Sequence, residues 1–195
     1  MFPGVDLLVA LVSLPGKTGP GPEEVRGITR LEKLVFLALE EAGFKDVVDT
    51  DYDYQAYDFG PYSTKVVQEL EALKAMGVIS VRAIPLGSIN EIVDREAVRL
   101  AVGDEPTHER TVEVLAISER GLRVWNEIVR KKIAQARWMR LQELKERYNS
   151  TDLESLLRYV YSTYPEFTVK SWIAKQLFGM GRRPQLKAFD REEQA

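Results

Sequence analysis

Two stretches of this chain alternate as a strand does. VISVRAI (Val78–Ile84) and TVEVLAI (Thr111–Ile117) return an apolar side chain at every second position, the period that gives a strand one buried face. The other long patterned stretches repeat at helical spacing. ITRLEKLVFLALEEAG (Ile28–Gly43) carries a wide apolar stripe of Leu31, Leu34, Val35, Leu37, Ala38 and Leu39. Thr29 reads as its N-cap and Gly43 as its stop, with Arg30, Glu32, Lys33, Glu40 and Glu41 on the polar face. STKVVQELEALKAMGVI turns Val66, Val67, Leu70, Leu73 and Met76 to one side and ends at Gly77. The chain therefore predicts helices over Val5–Ser13, Ile28–Ala42 and Ser63–Met76, then a two-stranded ribbon, then one long helix, or two in line, opened by Ser118. Three helices feeding a ribbon is the order of a winged helix, a variant of helix-turn-helix. The expected fold class is α+β, mostly helical, with a winged-helix-like core and a C-terminal helical lobe. The expected divisions are 1–117 for the winged-helix-like domain, 118–179 for the lobe and 180–195 for a flexible tail. Residues 85–110 would form an enlarged wing.

Composition narrows the chemistry. Net charge is −3 and the sequence pI is about 5.4, so any nucleic-acid binding must come from a local basic patch. There is no cysteine and one histidine, His108, which removes thiol chemistry, disulfides and a His-rich metal site. GKT at Gly16–Thr18 lacks the glycine a phosphate loop needs, because Leu11 stands there. Asp49, Asp51 and Asp53 begin like a calcium loop, but Tyr54 and Gly60 occupy the positions that need Gly and Glu. No nucleophile or acid–base pair is recognisable from spacing. The expectation is a non-enzyme without metal or cofactor. VDLLVALVSL (Val5–Leu14) is too short to span a bilayer and lacks a signal-peptide flank, so a cytoplasmic, non-membrane protein is expected.

Two features point to binding. The first is the aromatic run YDYQAYDFGPYS, with Tyr52, Tyr54, Tyr57, Phe59 and Tyr62. It reads as an extended link broken by Gly60-Pro61, and Tyr57, Phe59 and Tyr62 are the candidate partner interface. Ser63, Thr64, Lys65 and Gln68 follow as the candidate base- and phosphate-facing groups of a recognition helix. Glu40–Asp58 sets seven acidic residues against Lys45 beside that helix, which disfavours a duplex. The second feature is charge of the other sign. Ser118–Asn149 holds nine basic and four acidic residues, and Arg130, Lys131, Arg137 and Arg140 are its candidate phosphate contacts. Trp125, Val129, Ile133, Ala136 and Leu144 form a stripe along the same helix, a candidate homodimer seam, with Trp138 off that line.

The segments ITRLEKLVFLALEE, YDYQAYDFGPYSTKVVQELEALKAMGVI, LAISERG and YPEFTVKSWI together resemble the YwgA-like proteins and the related Panacea-type proteins, which include SocA-like antitoxins. The resemblance covers roughly residues 28–175 and departs at the Gly/Pro-rich loop 15–27 and the connection 85–110. It implies a winged-helix-like core and a non-enzymatic antitoxin or proteolytic-adaptor role. Two expectations stand side by side: a DNA-binding regulator or antitoxin-like factor, partnered by double-stranded DNA or a toxin, and a protein–protein adaptor that keeps the shape without binding DNA.

Overall fold

The computed structural model describes residues 2–85 and 111–178. It is mixed α+β, predominantly helical, with two small antiparallel sheets. Helix α1 (Gly4–Ser13) runs through the middle of the core and exposes almost nothing. A short strand β1 (Val25–Arg26) follows, then helix α2 (Ile28–Glu40). The aromatic link folds into a hairpin, β2 (Gln55–Tyr57) against β3 (Gly60–Tyr62). Helix α3 (Thr64–Ala75) leads into β4 (Ile79–Pro85), which pairs along its whole length with β5 (Thr111–Ile117). Strand β1 joins the free side of β5, Val25 opposite Leu115, and the sheet order is β1–β5–β4.

The C-terminal region is α4 (Glu119–Glu127), a 3-10 turn (Val129–Lys131), α5 (Gln135–Tyr148), α6 (Leu153–Thr163), a second 3-10 turn (Pro165–Thr168) and α7 (Trp172–Leu177). Ser118 caps α4 as expected, accepting from the Gly121 N–H at 2.9 Å. Asp152 caps α6, accepting from the Ser155 N–H at 2.8 Å. Gly121 lets α4 pass close under the sheet, since a Cβ there would lie 2.3 Å from the Val78 carbonyl oxygen. One apolar cluster runs from Phe2 to Ala174, so the boundary at Ile117 is no break in the core. Among the described residues no helix is long and apolar enough to cross a membrane.

Several expectations are corrected. The stretch Ser118–Asn149 is not one straight helix: it breaks between Ile128 and Ala134. Thirteen residues of continuous helix would separate Trp125 and Trp138 by about 20 Å, yet their rings meet edge to face at 4.9 Å. Trp138 is therefore core. Three residues of the apolar stripe, Trp125, Val129 and Leu144, are spent inside the chain, while Ile133 is half-buried and Ala136 exposed. Helix α2 starts at Ile28 with Gly27 as its N-cap, not Thr29. Gly60-Pro61 does not end the extended segment but lies inside β3. The loop Leu14–Gly27 hides β1, too short to show a period. The wing proper (86–110), His108 and the tail beyond Phe178 lie outside the described residues.

Candidate functional site

Helix α2 is enclosed on nearly every side, and this changes the meaning of its charged residues. Arg30, Glu32 and Lys33, which read as a solvated face, are 1%, 2% and 2% exposed. Burial of a charge is costly unless hydrogen bonds or an opposite charge replace water. Arg30 donates to the carbonyls of Tyr148 (3.1 Å) and Thr151 (2.5 Å), tying α2 to the end of α5. Lys33 Nζ donates to the Pro61 carbonyl at 2.7 Å. Glu32 Oε2 accepts from the Ser63 N–H at 3.2 Å. Glu32 Oε1, buried, has no hydrogen-bond partner among the described residues.

These bonds position the hairpin. Ser63 stands at the N-cap of α3, but its hydroxyl donates instead to the Tyr52 carbonyl at 2.5 Å. On the other side of the turn the Ser171 hydroxyl donates to the Asp58 carbonyl at 2.5 Å, and Tyr161 Oη lies 2.6 Å from Ser171 Oγ. Gly60 sits at φ +89°, where a side chain would be strained. A Cβ there would also stand 3.2 Å from the Tyr161 ring. Residues from α2, from FGPYS and from the C-terminal YPEFTVKSWI thus converge on one turn, although they lie far apart in sequence.

Above this network is a pocket of about 130 Å³, lined by Ile28, Glu32, Lys33, Tyr57, Phe59 and Tyr62. Tyr57 is 54% exposed and packs its ring on Tyr62 at 5.0 Å. Tyr62 is half-buried, and Phe59 packs against the core. Burial pushes Glu32 up to about 7, although the Lys33 charge and the Ser63 N–H pull it down. Burial pushes Lys33 down to about 8 against the attraction of Glu32. A second cleft, of about 590 Å³, sets the rings of Tyr52, Tyr54 and Phe167 among carboxylates including Asp49, Asp51 and Glu166. Its Lys45 is held by Glu40 at 2.8 Å.

The nucleic-acid candidates are not brought together in this way. Ser63 is buried and fully engaged, while Thr64 and Gln68 are exposed. Lys65 donates to the Asp51 carbonyl, so its head is drawn to the acidic link. Lys74 is held by Glu71 and Glu113, both at 2.8 Å. On the basic stretch, Lys132 pairs with Asp6 and Arg137 donates to the Gly43 carbonyl. Arg140 reaches the same glycine, whereas exposed Arg130 and Lys131 border a groove near Trp125 and Pro20. The break between α4 and α5 distributes these cations over separate places.

One member of that basic stretch has a different task. Lys145 is fully buried and donates to the carbonyls of Leu14 and Glu23, each at 2.6 Å. The Glu23 carboxylate accepts from the Thr18 N–H at 3.1 Å and from Asn149 Nδ2 at 2.6 Å. This clamp holds the Gly/Pro loop down. Burial pushes Lys145 down to about 7 despite the nearby Glu23 charge. Burial also raises Glu23, but Asn149, Thr18 and Lys145 outweigh it and hold the carboxyl below its usual value. Sequence reading missed Glu32, Lys33 and Lys145 as site or clamp residues, because each sits in a normal amphipathic helix pattern. Their partners are backbone groups of distant segments, carbonyls for the two lysines and the Ser63 N–H for Glu32, which carry no sequence signal.

In comparisons with known proteins, no family model matches the chain, and no curated protein and no solved structure matches it.

Proposed function

We propose that this chain is a non-enzymatic protein–protein adaptor built on a winged-helix-like scaffold, with the β2–β3 hairpin as its docking element. One observation carries the reading. A turn pinned by buried hydrogen bonds from α2, α3 and the segment before α7 presents the Tyr57–Tyr62 pair over an apolar pocket. Rigid aromatic groups beside a pocket are what interface hot spots are made of, and a pre-organised loop loses little entropy on binding. The winged-helix-like scaffold is supported by the element order and by β1 completing the β5–β4 ribbon. The adaptor role accords with what the resemblance to Panacea-type proteins implies.

The DNA-binding reading has weaker support. Phosphate contacts need free cations along one face, and here Lys65, Lys74, Lys132, Arg137 and Lys145 are engaged within the chain. The acidic link flanks α3 directly. The test is a fluorescence-anisotropy titration onto random duplex DNA over a series of salt concentrations. The adaptor reading expects no micromolar binding at low salt. Micromolar binding that falls steeply with salt would return the function to DNA.

A further inference from the structure

Glu32 Oε1 is a buried carboxylate oxygen with no hydrogen-bond partner among the described residues, and its side chain borders a pocket. A buried carboxylate oxygen without a donor costs roughly 1–3 kcal/mol or more, and proteins retain such groups where they are used. Its other oxygen is held by Ser63, and neighbouring Lys33 is committed to Pro61. The side chain lines the hairpin pocket. A donor approaching this side chain from outside would come through that pocket, beside Tyr57 and Tyr62.

What would supply that donor is constrained by the walls. The pocket, of about 130 Å³, is small and suits a side chain rather than a larger ligand. Its lining is mostly apolar and aromatic, so the occupant needs an apolar stem. Glu32 is among its lining residues, so an occupant that reaches the unpartnered oxygen needs an N–H donor at its tip. The neighbouring link and cleft are acidic, with Asp49, Asp51, Asp53 and Glu166, so the segment bearing it is favoured if basic. An ammonium is a strongly hydrated point charge and would sit close to the buried Lys33. A guanidinium is planar, more weakly hydrated, spreads its charge and stacks on tyrosine faces.

Resting on the adaptor reading above, we propose that this pocket receives a single arginine side chain from a basic segment of the partner. One guanidinium N–H donates to Glu32 Oε1, the plane lies against Tyr57, and the stem packs on Ile28 and Phe59. The acidic aromatic cleft beside the link takes further cations of the same segment.

The probe is N-acetyl-arginine amide, titrated into the full chain and followed by the backbone amide shifts of Ser63, Gly60 and Tyr57. Its neutral isostere N-acetyl-citrulline amide and the lysine analogue are the controls. The arginine probe is expected to give saturable shifts at all three amides. The citrulline probe, and Glu32→Gln with the arginine probe, are expected to bind at least about tenfold more weakly, the loss of one charge-assisted hydrogen bond of about 1.5–3 kcal/mol. Glu32→Gln retains the acceptor for Ser63, and its amide spectrum away from the hairpin reports that it is folded. Tyr57→Ala, on an exposed position, is the second variant and is expected to weaken the arginine probe as well. Equal shifts from arginine and citrulline, an unchanged response in Glu32→Gln, or no saturable shift would overturn the arginine pocket. The adaptor reading fails on a different result, steeply salt-dependent duplex binding, so the two failures are distinguishable. Peptides selected from a random library that lose binding in Tyr57→Ala but contain no arginine would retain the adaptor and sink this pocket.

Discussion

The chain uses the same device twice and finishes it only once. In both places a buried lysine reaches from a helix to a backbone carbonyl of a distant segment, beside a buried glutamate. At the Gly/Pro loop, Lys145 takes two carbonyls and both Glu23 oxygens have donors. At the hairpin, Lys33 takes one carbonyl, and Glu32 has one oxygen bonded and one left without a partner. In the first the lysine and both carboxylate oxygens are engaged, which rigidifies the loop, although Asn149 Oδ1 beside them has no partner among the described residues. The second is open on the side of the pocket. The contrast is that burial is common to both carboxylates, whereas only Glu32 has an oxygen without a partner among the described residues.

The largest test of this contrast is removal of the lysines. Lys145→Met should cost about 3–5 kcal/mol in urea unfolding, because two buried carbonyls and Glu23 lose their cation together. Lys33→Met should cost less, about 1–3 kcal/mol, since one carbonyl loses its donor and Glu32 relaxes by taking a proton. The reverse order would break the comparison.

The glutamates give the next test. Glu23→Gln puts an amide N–H₂ against a donor and should cost about 1–3 kcal/mol. Glu32→Gln should change stability by less than about 1 kcal/mol, because the altered oxygen had no partner to lose. Equal costs would mean that the two networks are equally complete.

Stability should also vary with pH in a particular sense. Lys33 and Lys145 are lowered to about 8 and about 7 in the folded chain. Between those values and the ordinary lysine value near 10.4 the unfolded chain holds more protons. Stability should therefore rise with pH in that window, by up to about 1.4 kcal/mol per unit for each group. Glu32 is raised to about 7, so it stabilises most below its usual value and loses that contribution as pH rises to about 7. Urea midpoints across this range should trace a trough near neutrality. Lys145→Met should flatten its alkaline side, and Glu32→Gln should flatten its acidic side.

The smallest stability effect belongs to the surface. Tyr57→Ala should change unfolding free energy by less than about 1 kcal/mol, because the ring is mostly solvated apart from its contact with Tyr62. A loss of several kcal/mol would make Tyr57 a structural residue and remove it from the docking surface.

Much of this was legible beforehand. The periods placed α1 to α3, β4, β5 and the start of α4 closely, since apolar repetition is a local property of the chain. The aromatic run marked the hairpin residues, and Tyr57 is indeed exposed. The break in the long helix was not legible, because the sequence through Ile128–Ala134 offers no proline or glycine, and the turn is stabilised by Trp138 docking on Trp125. Strand β1 escaped because two residues carry no period, and its pairing with β5 is decided across the fold.

What the sequence by itself determined was the inventory: which segments are helical, where the ribbon lies, which aromatics stand before α3, and that cysteine chemistry is absent. Local spacing suffices for these. What only the tertiary structure decided was the fate of each charge. Arg30, Glu32 and Lys33 occupy ordinary polar positions of an amphipathic helix, and Lys145 those of another. They are buried because later segments pack over the helix faces they share, and their partners are backbone groups, carbonyls for the three cations and the Ser63 N–H for Glu32, of a kind that every non-proline residue carries. Hydrogen bonds to backbone leave no trace in residue identity, so the closed clamp and the open pocket could be told apart only once the chain was folded.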